Sequence, residues 1–152
     1  MSFTDNTTGR YEWETPPEFF ESVNSEFNFT CDVCATPDKT KVPENFYTPE
    51  QNGLLQKWNG VCWMNPPYGR DISKWVAKAK RERENGTTTV CLLPSRTDNA
   101  WWHQHVMEAD EIRFLRGRLK FVGARDSAKF ASCLVIFRGI KSCEPVLSPR
   151  PS

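Results

Sequence analysis

Histidine is nearly absent from this chain, and further deficits narrow its function. His103 and His105 are the two present. Nothing in the sequence supplies either with a triad or metal partner, so both read as structural or surface residues. No G-x-x-x-x-G-K-S/T or G-x-G-x-x-G segment occurs, which makes nucleotide hydrolysis and hydride transfer poor candidates. No apolar run approaches the length of a membrane span. The first ten residues are polar and lack the apolar core of a secretion signal, so a cytoplasmic location is expected. A formal charge of +1, with 26% charged and 38% hydrophobic residues, gives a soluble composition without the strongly basic footprint of many nucleic-acid binders. Charge therefore has to be judged locally.

Six cysteines are present. Without a secretion signal they read as reduced thiols rather than a disulfide framework. Cys31 and Cys34 have C-x-x-C spacing, but no second such pair or histidine pair completes a zinc site. Cys62, Cys91 and Cys133 lie within apolar runs, which favours buried thiols over metal ligation. The 152 residues suit one domain. A flexible arm is expected at residues 1–12, the domain at 13–139 and a tail at 140–152.

Thr15-Pro16-Pro17-Glu18 reads as a helix start, with Thr15 as cap, Pro16 in the first position and Glu18 completing a capping box. Phe19, Phe20, Val23 and Phe27 then line one face. Residues 29–35 form a first strand pattern, broken by Asp32, whose charge either marks the strand's end or holds a ligand. Residues 36–56 form a long irregular connection with one short strand near 45–48, a length often associated with function. Leu54, Leu55 and Trp58 are expected to pin its far end to the core. After an apolar run at 61–64, Ile72, Trp75, Val76 and Ala79 repeat at helical spacing, and Asn85-Gly86 closes that helix. Lys74, Lys78, Lys80, Arg81 and Arg83 lie off the apolar stripe, interleaved with Glu82 and Glu84, as on a solvated face. Residues 87–94 read as a buried strand. A helix capped by Asp98 or Asn99 follows, carrying Trp101, Trp102, Val106 and Met107, with the tryptophans packed in the core. Residues 111–122 and 131–138 read as two final strands around a polar loop at 123–129. The alternation argues for an α/β sheet, parallel in its centre, with an antiparallel strand pair at one edge.

The run Val61-Cys62-Trp63-Met64 ends abruptly in Asn65-Pro66-Pro67-Tyr68. Two prolines remove backbone donors and fix φ, so a rigid loop begins there, at the strand end where open α/β sheets place ligands. This loop occurs in order with Trp13-Glu14-Thr15-Pro16, Cys31-Asp32-Val33-Cys34-Ala35-Thr36, Leu92-Leu93-Pro94-Ser95-Arg96-Thr97-Asp98 and Gly117-Arg118-Leu119-Lys120-Phe121. Together these motifs resemble the small phage DNA N-6-adenine-methyltransferases of the Dam-like family, over residues 11–139. The resemblance implies a three-layer, Rossmann-like methyltransferase sheet that uses S-adenosylmethionine as cofactor and double-stranded DNA as partner. It also implies the host cytoplasm as location and protection of phage DNA from restriction as purpose.

Carried over residue by residue, the resemblance makes Asn65, Pro66, Pro67 and Tyr68 the catalytic loop that receives a flipped adenine. The adenine amine is a poor nucleophile because its lone pair is delocalised. The Asn65 side-chain oxygen and the Pro66 carbonyl would accept its hydrogens and favour an attacking geometry, while Tyr68 stacks on the base. Trp13, Thr15 and Pro16 would lie near the methionine end of the cofactor, with Asp32 and Ala35 at the first strand's end. Where the family often carries an acidic residue in an Asp-Gly-Leu-like stretch, this chain has Asn52-Gly53-Leu54; Asn52 keeps a hydrogen-bond acceptor there but no charge. Arg113, Arg116, Arg118 and Lys120 fall close together as candidate phosphate contacts. Arg116, Arg118 and Lys120, together with Arg70 and Arg96, form the expected DNA-binding set. Few bases would be read, through loops such as 36–56 and 123–129. Another planar amine or amide, in a protein glutamine or RNA, stays open as acceptor, and so does a catalytically silent DNA- or protein-binding module.

Overall fold

The computed structural model describes residues 14–140; Trp13, the arm and nearly all of the tail lie outside them. Strand β1 is Cys31–Asp32, β2 Val61–Met64, β3 Thr88–Pro94, β4 Glu111–Phe114 and β5 Ser132–Phe137. They form one sheet in the order β1-β2-β3-β5-β4. The β1–β2 and β2–β3 pairs are parallel, while β5 is antiparallel to both β3 and β4. The antiparallel pair therefore occupies one edge, with β5 inserted next to β3 and β4 outermost.

Side chains alternate between the faces, as the pleat requires. Cys62, Met64, Cys91, Leu93, Cys133 and Val135 belong to one apolar cluster, with Ile72, Trp75, Val76 and Ala79 of helix α2 (Ile72–Glu82) and Trp101 and Trp102 of helix α3 (Ala100–Gln104). Trp63, Val90, Leu92, Leu134 and Ile136 belong to the other, with Phe20 and Val23 of helix α1 (Pro17–Phe27). No helix among the described residues is long and apolar enough to cross a membrane.

Several local expectations change. Pro16, not Thr15, is the N-cap of α1, and Pro17 opens the helix. The expected capping box cannot form, because it needs a backbone N–H at the cap and Pro16 has none. Strand β1 is shorter than residues 29–35, because the Asp32 carboxylate accepts from the backbone N–H of Cys34 at 3.3 Å and turns the chain. The segment near 45–48 makes one parallel bridge, Phe46 to Asp32, supported by the Tyr47 N–H donating to the Asp32 carbonyl at 3.0 Å. Leu54 and Trp58 pack inward, but Leu55 is 78% exposed. Strand β4 stops at Phe114 rather than 122, and residues 115–131 follow as an irregular segment tied to the core by Leu115, Leu119, Phe121, Ala124, Ala128 and Phe130.

Lys78 departs from the expected solvated face. It is buried with Glu82 at 2.9 Å, their side chains 8% and 7% exposed, and its ammonium lies 5.3 Å from the Trp58 ring centroid. Burial alone would raise the Glu82 pKa, but hydrogen bonds from Lys78 and Asn85 hold it below the ordinary carboxylate value. The Trp58 backbone N–H also donates to Glu82 at 3.3 Å. Asn99 does hold the N-cap position of α3, although its side chain makes no capping bond, and Met107 beyond the helix is exposed. Of the five described cysteines, Cys31, Cys62, Cys91 and Cys133 are buried and Cys34 is half-buried.

Candidate active site

Because β1, β2 and β3 run parallel, the residues following each of them gather at one edge of the sheet. Strand β4 ends and β5 begins at that same edge, since Phe114 lies opposite Cys133 and Pro94 opposite Ser132. The whole 115–131 segment therefore departs from and returns to the edge where the Asn65-Pro66-Pro67-Tyr68 loop stands. Its return is fixed by the Ser95 N–H donating to the Ala131 carbonyl at 2.9 Å.

Three hollows surround the loop. The first, about 460 Å³ and open to solvent, is lined by Thr15, Asp32, Ala35, Asn65 and Pro67, and also by Glu14, Cys34, Thr36, Lys39, Lys41 and Trp63. The second, about 610 Å³, shares Cys34, Ala35 and Pro67 with the first and adds Asn52, Tyr47, Leu54 and Trp75 among others. The third, about 500 Å³, has Tyr68, Ile72, Pro94, Arg96 and Trp101 on its walls. The first two bring together Thr15, Asp32, Ala35, Asn52, Asn65 and Pro67; the third brings Tyr68 to Arg96. Pro16 and Pro66 line none of the three. Arg70 stands exposed at the start of α2, while Arg116, Arg118 and Lys120 are exposed on the 115–131 segment.

Each polar group has a definite setting. Asp32 is 3% exposed. One carboxylate oxygen accepts from Cys34, and the other from the Lys41 backbone N–H at 2.9 Å and the Thr40 hydroxyl at 3.4 Å. Burial outweighs these bonds and raises its pKa from 3.8 to about 6. The Asn65 side-chain N–H donates to the Thr15 hydroxyl at 3.2 Å. The Tyr68 hydroxyl donates to the Leu92 carbonyl at 3.1 Å, and burial pushes its pKa well above the ordinary value, so it stays protonated. Its ring meets Phe130 edge-on at 5.7 Å, and the Arg96 guanidinium lies 5.7 Å from the Phe130 centroid.

Asn52 has φ 55 and ψ 90, and its side chain accepts from the Leu54 N–H at 3.1 Å. Asn and Asp tolerate positive φ better than other side chains. The next residue, Gly53, has no room for a side chain, because a Cβ there would lie 2.1 Å from the Val33 carbonyl oxygen. Arg113 leaves the candidate DNA-binding group: it pairs with Glu26 at 2.7 Å and Glu111 at 2.6 Å, joining the end of α1 to β4. The sequence reading missed Glu14, Lys39 and Lys41, charged walls of the first hollow; their available signal was the lysine pair within the long connection. It also missed Phe130, which looked like the edge of a turn.

Sheet order defines a mixed α/β protein consistent with a Rossmann-like build, with the candidate site at the carboxyl edge of the parallel strands. The model of the DNA N-6-adenine-methyltransferase (Dam) family matches residues 4–150. The chain belongs to that family. A DNA N-6-adenine-methyltransferase of Haemophilus phage HP1 (strain HP1c1) is 36% identical over 114 residues, which cover 72% of this chain and 65% of the relative. The protein of the same name from Escherichia phage T1 is 30% identical over 156 aligned positions, covering 87% and 64%. The chain thus spans just under two thirds of the length of these relatives.

Proposed function

We propose that this chain is an S-adenosylmethionine-dependent methyltransferase that acts on the exocyclic amine of an adenine flipped out of double-stranded DNA. The observation that carries the reading is the loop between two kinds of hollow. Asn65 and Pro67 line the cleft that contains the buried Asp32 carboxylate, and Tyr68 lines the hollow that contains Arg96. Membership of the Dam family and the names of the two phage relatives support the same chemistry. The reading includes a three-layer, Rossmann-like methyltransferase domain over residues 13–139, flanked by an arm and a tail.

The first two hollows suit a long, partly polar ligand, because they adjoin and together offer apolar walls with a few convergent polar groups. When bound there, S-adenosylmethionine supplies an already activated methyl group. Thr15, Asp32 and Ala35 would hold it in the first hollow and Asn52 in the second; the resemblance adds Pro16 to this set, and also Trp13, which lies outside the described residues. The Asn65 oxygen and the Pro66 carbonyl accept the two hydrogens of the target amine. Tyr68 stacks on the extruded base, returning about 1–3 kcal/mol of the few kcal/mol that extrusion costs. Alignment of amine and methyl group contributes several kcal/mol more. Arg70, Arg96, Arg116, Arg118 and Lys120 contact phosphates, and loops 36–56 and 123–129 read a short sequence.

Transfer of a labelled methyl group tests this with unmethylated DNA, DNA with its adenines replaced, RNA and protein as acceptors. Label is expected in adenine-containing DNA, in the adenine itself. Label in protein or RNA alone refutes the proposal. Intact donor binding without any transfer identifies a silent binding module instead.

A further inference from the structure

We infer that Thr15 is a positioning residue for Asn65: its hydroxyl is the strut that holds the Asn65 amide in its working orientation. The inference rests on the methyltransferase reading above for its chemical meaning, but the strut is visible without it. Thr15 and Asn65 lie fifty residues apart in sequence and are joined by the 3.2 Å hydrogen bond between the Asn65 Nδ2 and the Thr15 Oγ1. Thr15 is 1% exposed, so water does not compete for its hydroxyl. The final torsion of an asparagine side chain has a broad preference, which leaves an unanchored amide free to rotate its oxygen away from a target.

The strut is itself braced. Thr15 precedes Pro16, which restricts its backbone to extended conformations, and Pro16 and Pro17 lead directly into α1. On the other side of Thr15, the Glu14 carbonyl accepts from the Val122 N–H at 3.0 Å, and the Glu14 carboxylate pairs with Lys41 at 3.4 Å. The residue is therefore fixed by α1, by the 115–131 segment and by the connection after β1. A side chain recruited only to touch a diffusible ligand would not need its own hydroxyl committed to the catalytic amide. Both hydrogen-bond ends of the pair also lie on the wall of one cleft, so the strut sets where that wall presents the amide.

Thr15→Val keeps the shape of the side chain and removes the hydroxyl; Thr15→Ser keeps the hydroxyl. At saturating donor, Thr15→Val is expected to slow single-turnover methyl transfer to DNA by about 10- to 100-fold, the scale of a small misplacement at a reacting centre. Saturating donor separates this loss of rate from any weakening of the donor contact that Thr15 also makes, and Thr15→Ser should restore most of the rate. An unchanged rate at saturating donor overturns the inference, because it leaves Thr15 a donor contact alone. NMR of the Asn65 side-chain amide in nitrogen-labelled protein needs no turnover. A hydrogen-bonded amide signal in the parent and Thr15→Ser that is lost in Thr15→Val supports the strut, and an unchanged signal refutes it. If the parent transfers no methyl group while that signal behaves as expected, the methyltransferase reading fails and the strut stands.

Discussion

Asp32 gives the most quantitative prediction. Its carboxyl is buried against three hydrogen-bond donors of its own loop, yet its pKa rises from 3.8 to about 6 because desolvation dominates. An acid whose folded pKa lies above its unfolded value holds its proton more tightly when folded, so it favours the native state at low pH. That contribution is fully present below about pH 4 and is lost as the pH climbs through about 6. The gap between 3.8 and about 6 corresponds to on the order of 3 kcal/mol. Asp32→Asn cannot titrate, although its amide will lose one of the loop hydrogen bonds at every pH. Urea unfolding of both proteins between pH 4 and pH 7 isolates the effect from other carboxylates. Relative to the variant, the parent should become less stable by roughly 3 kcal/mol as the pH rises across that window. The ligand consequence has the opposite sense: a donor that gives hydrogen bonds to Asp32 prefers the ionised form. Its affinity should therefore fall about tenfold per pH unit below 6 in the parent and stay flat in Asp32→Asn. Stability curves that run parallel, with no pH dependence of donor binding in either protein, would refute the assignment.

Further outcomes are expected at Tyr68, at the buried pair of Lys78 and Glu82 and at the surface cations. Tyr68→Phe loses one hydrogen bond to the Leu92 carbonyl, about 1 kcal/mol of stability by thermal unfolding, and keeps most activity. Tyr68→Ala still binds the donor but loses stacking, so methyl transfer should drop at least tenfold; full turnover by that variant sinks the role of Tyr68. Glu82→Ala strands the buried Lys78 ammonium and should cost about 3–5 kcal/mol in urea unfolding, with Lys78→Met/Glu82→Leu less damaged than Glu82→Ala. For DNA binding, replacing Arg116, Arg118 or Lys120 with Ala should each lower the slope of log affinity against log salt by about 1. Arg113→Ala should leave that slope unchanged and reduce stability, because Arg113 is spent on Glu26 and Glu111.

Continuous apolar runs exposed β2, β3 and β5 in the sequence, because each strand is buried on both faces and its side chains divide between two apolar clusters. The start of α1 was misread by one position because a double proline satisfies the pattern of a capping box while lacking the N–H that the box requires. The length of β4 was overestimated because Leu119 and Phe121 resemble strand residues locally, whereas they serve as apolar anchors of an irregular segment. Within the candidate site, the placement of Asn65 through Tyr68, Asp32 and Ala35 at strand ends was legible because turn residues mark those ends. The Thr15 to Asn65 bond and the arrival of Phe130 beside Tyr68 were not, since both are contacts between distant segments with no local signature. Arg113 and Arg116 look alike in sequence; Glu26 on a neighbouring helix and Glu111 two residues back on β4 make Arg113 an ion-pair tie, while Arg116 stays an exposed cation.

The missing glycine-rich loop after β1 also finds a physical counterpart. A phosphate-binding turn needs bare backbone N–H groups pointing at the ligand, and this chain instead turns the N–H of Cys34, just after β1, and that of Lys41, further along the connection, onto its own Asp32. The turn is thereby held by an internal anion and presents no cradle for an external one. Its walls carry Lys39, Lys41 and Glu14, charges of both signs, beside apolar Ala35 and Trp63. Such a cleft, with charges of both signs, matches the zwitterionic methyl donor of the proposed function. The raised pKa of Asp32 reflects desolvation that its three hydrogen bonds do not compensate. A hydroxyl-bearing, positively charged ligand would supply that compensation, and its binding would then be coupled to the ionisation of Asp32, which the pH dependence of donor affinity described above tests.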